Sequence, residues 1–66
     1  MLCKIDDKKI WAYLFEHNMS VKDFAEKCNL DRSTIQSIFD GHRVRIPTVS
    51  KISAALDINY EELILK

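Results

Sequence analysis

A chain of 66 residues, 47% hydrophobic and 30% charged with no formal net charge, has room for one domain and the composition of a globular one. That excludes a disordered polyelectrolyte, and no apolar run approaches the roughly 18 residues of a membrane-spanning helix. The segment Met1–Lys9 carries charges of both signs and no apolar stretch, so no secretion signal is read there and a cytoplasmic location is expected.

The charge is unevenly spread. Residues 1–28 are balanced; residues 29–53 hold Arg32, Arg43, Arg45 and Lys51 against Asp31 and Asp40, and residues 54–66 hold Lys66 against Asp57, Glu61 and Glu62. The basic part therefore lies in the middle of the chain and the acidic part at its end. Catalytic and metal chemistry find little to stand on. Cys3 and Cys28 are too few for a disulfide framework and lack zinc-ligand spacing; Cys28 reads as a small core residue and Cys3 as a terminal thiol. His17 and His42 lie far apart without a carboxylate or cysteine at ligand spacing. Glu61 and Glu62 are neighbours on a helix and diverge in direction, so they do not form an acid–base pair. With no glycine-rich phosphate loop and no nucleophile–base arrangement, no catalytic residue, metal or small-molecule cofactor is expected, and the protein is not read as an enzyme.

Helical periodicity runs through the chain, and an all-α fold of five short helices is predicted over a single domain, residues 1–66. The first helix spans about Asp7 to His17, with Ile10, Tyr13, Leu14 and His17 on one face, Trp11 and Phe15 on a second, and Asn18 at its end. The second begins at Ser20, an N-cap residue with Asp23 at capping-box spacing; Phe24, Ala25 and Cys28 form its apolar face and Asn29 ends it. The third begins at Asp31, turns Ile35, Ile38 and Phe39 inward, presents Arg32, Ser33, Gln36, Ser37 and Asp40 outward, and stops at Gly41. Pro47 suits the first turn of a fourth helix with Ile46, Val49, Ile52, Ala55 and Leu56 as apolar positions. A fifth follows Asn59. Tyr60, Ile64 and Leu65 on it are more apolar surface than so small a monomer buries easily, so they are the expected homodimer surface, together with Val49 or Ile46.

The second and third helices are joined by almost nothing, and Ala25 is small enough for their close approach. The outer face of the third helix is short, polar and rich in donors and acceptors, which suits entry into a major groove. Met19-Ser20 through Gly41, followed by Ile46 to Leu65, resembles the phage-repressor and Cro-like (XRE-type) helix-turn-helix family. The resemblance rests on Ala25, the turn residue Asn29, Leu30, Ile35 and the run Ile38-Phe39-Asp40-Gly41, then Lys51 through Ile58 and Tyr60 through Leu63. It covers about Ile5 to Leu65.

The resemblance implies a compact five-helix DNA-binding domain. Arg32, Ser33, Gln36 and Ser37 would read base edges in double-stranded DNA. The amides of Val21 and Lys22, with Thr34, His42, Arg43 and Arg45, would meet phosphates. A homodimeric repressor on a palindromic operator is the expected activity. The chain departs from the family at Val21, where Gln is frequent, and at Asp40, where Asn or a basic residue is common. Leu14 and Phe39 stand where many members pair an Arg with a Glu. Val21, Asp40 and the zero net charge define the alternative: the same fold used as a protein-interaction module, for example an antitoxin.

Overall fold

A computed structural model describes residues 1–65, and its helices begin and end where local chemistry directs. α1 (Asp7–His17) starts after Asp6, whose side chain accepts from the Lys8 amide at 3.2 Å. α2 (Val21–Cys28) opens on the capping box expected at Ser20. The Asp23 amide donates to Ser20 Oγ at 3.1 Å, and the Ser20 amide donates to the Asp23 carboxylate at 3.4 Å. Such a cap is worth about 1 kcal/mol, a large share for a domain of this size. α3 (Arg32–Phe39), α4 (Ile46–Leu56, with Pro47 in its first turn) and α5 (Tyr60–Leu63) follow. Asp31 and Asn59 stand at the N-cap positions expected of them, but neither side chain makes a capping bond; their carbonyl oxygens accept from Thr34 and Glu62 instead.

Four helices close in the same way. A residue with positive φ reverses the chain, and the next amide donates back to the carbonyl five residues earlier: Met19 to Leu14, Leu30 to Ala25, His42 to Ser37 and Ile58 to Ser53, at 2.9–3.1 Å. The reversing residues are Asn18, Asn29, Gly41 and Asp57, with φ of 50°, 58°, 89° and 57°. Asn and Asp tolerate this left-handed region better than other residues that carry a Cβ, so one glycine suffices for four closures. Met19, Leu30 and Ile58 each follow a reversal and pack against the core, which fixes the direction of the next segment.

The strictly all-α expectation is corrected by a small antiparallel sheet of order β2-β1-β3, built from β1 (Leu2–Ile5), β2 (Val44–Arg45) and β3 (Ile64–Leu65). Leu2 and Cys3 pair with Arg45 and Val44, while Lys4 and Ile5 pair with Leu65 and Ile64. The strands are too short to display the two-residue period that marks a strand in sequence. Ile64 and Leu65 belong to this sheet and not to the fifth helix, which is a single turn. The Asp6 amide donates to the Leu63 carbonyl at 2.8 Å, joining the start of α1 to the end of α5.

The core takes Ile10 and Leu14 from α1, Phe24, Ala25 and Cys28 from α2, and Ile35 and Ile38 from α3. Val49, Ile52 and Leu56 from α4, Leu63 from α5, and Ile5 and Val44 from the strands complete it. No charged or polar residue is buried among the described residues, so apolar burial and caps hold the fold. Val49 is part of this core and is unavailable as a dimer contact. Cys28 is 4% exposed, and burial pushes its thiol up to about 11 from the ordinary 9.0. The folded state therefore keeps this proton through the interval between the two values, and stability falls as pH rises across it. At pH 8 the native protein is expected to alkylate at the half-buried Cys3 and to protect Cys28 until it unfolds, as mass spectrometry of a timed reaction would read. Equal rates at both thiols in the native state would contradict this packing.

Candidate DNA interface

α2 and α3 are separated only by Asn29, Leu30 and Asp31. The reversal at Asn29 and the bond from the Leu30 amide to the Ala25 carbonyl set the joint between them; α3 packs against α2, and Ala25 is buried. Ile35 and Ile38 anchor α3 to the core. At about 100° per residue, Arg32, Gln36, Asp40, Ser33 and Ser37 then occupy one arc of roughly 140° on the far side. The first four are exposed and Ser37 is half-buried. The four residues expected to read bases thus share one continuous polar face on a helix fixed from behind.

The expected phosphate contacts are less uniform. The capping box engages the amides of Ser20 and Asp23, while the Phe24 amide donates to the Ser20 carbonyl. The amides of Val21 and Lys22 are left at the positive end of α2. Lys22 is exposed; Val21 is half-buried and packs partly against the core, so its backbone amide is the polar group it offers. Thr34 is half-buried on the flank of α3, away from the polar arc, and its amide donates to the Asp31 carbonyl, leaving only its hydroxyl. His42, Arg43 and Arg45 are exposed on the segment that leaves α3, with Arg45 held in β2 opposite Leu2. Lys27, also on α2, lies over the Tyr13 ring at 5.5 Å from its centre. Hydrogen bonding to Tyr13 raises its pKa, so it remains charged but is turned toward α1.

Two contacts escaped the sequence reading. Leu14 is buried in the core, and Phe39, which packs partly against that core, also stacks on Trp11 with ring centres 4.5 Å apart and planes 17° apart. The spacing of Trp11 and Phe15 marked a second apolar face on α1, but which partner it met was not legible. The other contact joins Gln36 Nε2 to Asp40 Oδ1 at 3.5 Å. Its signal was available, since a Gln and an Asp four residues apart meet on a helix.

The expected dimer residues fall on two levels. Tyr60 is 56% exposed and lines a groove of about 400 Å³ with Ile46 and Ile64, while Ile64 itself is half-buried in β3. Leu65 is 45% exposed at the end of the same strand. Among the described residues no three His, Cys, Asp or Glu side chains come together as a metal site, and no helix is long and apolar enough to cross a membrane.

A family model described as the Cro/C1-type HTH DNA-binding domain matches residues 9–65. No curated protein and no solved structure matches the chain.

Proposed function

Because the chain belongs to the Cro/C1-type helix-turn-helix DNA-binding domains, a family of DNA-binding regulators, we propose that it acts as a homodimeric repressor on a palindromic operator. The observation that carries the reading is the polar arc of α3, exposed on a helix whose opposite face is fixed in the core. Arg32 and Ser33, in the first turn, read base edges; Gln36 and Ser37 extend the readout by one turn. Arg32 pairs with the O6 and N7 acceptors of a guanine. The Val21 and Lys22 amides with the side chains of Lys22, Arg43 and Arg45 hold phosphates, and His42 and Thr34 add weaker polar contacts.

A domain of this size reads few base pairs, so a two-fold dimer spanning two half-sites about one helical turn apart supplies both affinity and specificity. The exposed apolar groups Tyr60, Ile46 and Leu65, with the half-buried Ile64, form the proposed contact. Three phosphate contacts per subunit give a log–log salt slope of about −5 for the dimer. Sedimentation at micromolar concentration, combined with salt titration of operator binding, tests both numbers. A dimer with that slope is expected; a monomer, or a slope near zero, contradicts the proposal.

A further inference from the structure

We infer that Asp40 is a positioning residue for Gln36, holding its amide in the orientation that reads adenine; this rests on the assignment of α3 as the base-reading helix. Gln36 and Asp40 are one turn apart on the exposed arc, and Gln36 Nε2 donates to Asp40 Oδ1 at 3.5 Å. A Gln amide has two N–H donors and one carbonyl acceptor. With one N–H directed to Asp40, the other N–H and the carbonyl remain. Those are the two groups adenine requires, a donor to its N7 and an acceptor from its N6 amino group. The bond therefore costs Gln36 none of its readout capacity. It also limits the rotamers of a long, exposed side chain before binding, which reduces the ordering needed in the complex.

Two further observations favour this role. Val21, the first residue of α2, is half-buried against the core and has no polar side-chain atom with which to hold a base reader, so the hold comes from within α3. Asp40 is also electrostatically misplaced. Its charge sits at the negative end of the α3 dipole and on the face that would approach a polyanion. Gln36 is the only side-chain hydrogen-bond partner it has among the described residues.

The test compares base preference in a randomised duplex library for the wild type, Gln36→Ala, Asp40→Ala, Asp40→Asn and the double variant Gln36→Ala/Asp40→Ala. Both positions are exposed, and helical circular dichroism verifies that each variant folds. Gln36→Ala and Asp40→Ala are expected to flatten preference for adenine at one and the same position, by about twofold for Asp40→Ala. The double variant should lose no more than Gln36→Ala alone. Asp40→Asn keeps the carbonyl acceptor without the charge, so it should retain the adenine preference and bind random duplex more tightly at low salt. Full adenine preference in Asp40→Ala would overturn the proposal. So would a change at a different base, such as a cytosine whose amino group Asp40 contacts directly, or an absence of positional effect in Gln36→Ala. If the wild type binds no duplex even at low salt, the assignment of α3 fails first, and that result is distinct from the others.

Discussion

Phe24→Ala is expected to leave most molecules unfolded at physiological temperature. Phe24 is the largest fully buried side chain, 0% exposed, and its ring meets that of Tyr13 at 5.6 Å between centres. It stands on α2, which packs against both α3 and α4. Truncating a buried phenylalanine costs about 3–5 kcal/mol. A domain of this length has a total stability of roughly 3–10 kcal/mol. The loss is about half or more of the middle of that range, and thermal melting should fall by roughly 15–30 °C. A melting point within about 5 °C of the wild type would mean that the core is not organised around Phe24.

The second large effect concerns recognition rather than stability. Arg32 is exposed at the first position of α3, so its guanidinium is not desolvated by its own domain, and the proposed role gives it a base edge to read. Arg32→Ala should reduce discrimination at one base pair by about 1–3 kcal/mol, or about 5- to 150-fold, with little effect on binding to random duplex. Arg43→Ala should instead weaken all sequences nearly equally and lower the salt slope by about 1 per subunit. Competition titrations against single-base variants of the operator separate the two. If Arg43→Ala relaxed one position and Arg32→Ala weakened every sequence alike, the two roles would be reversed.

How much of this was legible beforehand varied with the range of the interaction. The bounds of α1, the Ser20 capping box and the reversals at Asn18, Asn29 and Gly41 are set by residues within a few positions of one another, and the structure has them as expected. The left-handed Asp57 belongs to the same class and was overlooked, although Asp-Ile after an apolar run repeats the logic of Asn29-Leu30. The sheet was not legible for a different reason. β1 alternates exposed and inward residues, but four residues are too few to distinguish a period of two from chance, and its partners lie some forty and sixty positions away. Tyr60, Leu63 and Ile64 also fit a helical face. Only pairing with β1 decides that the backbone leaves the helix at Ile64.

The candidate interface divides along the same line. That Arg32, Ser33, Gln36 and Ser37 share a face followed from their spacing once Ile35 and Ile38 were read as core. That the Val21 side chain turns inward, that Thr34 sits to the flank and that Phe39 meets Trp11 all depend on how α1, α2 and α3 cross, which no local pattern encodes. The zero net charge was the strongest compositional objection to a DNA-binding role. It loses force once the distribution is considered: the acidic residues Glu61 and Glu62 begin α5, whereas Arg32, Arg43 and Arg45 lie on α3 and the segment leaving it.

Selection of binding sites from a pool of random duplexes by the intact protein tests the central claim, that the outer face of α3 reads double-stranded DNA as part of a symmetric pair. Enrichment of two inverted half-sites with centres about one helical turn apart, each containing a guanine that Arg32→Ala no longer selects, is the predicted result. A pool that emerges unenriched at low salt, from protein shown to be folded, would contradict it.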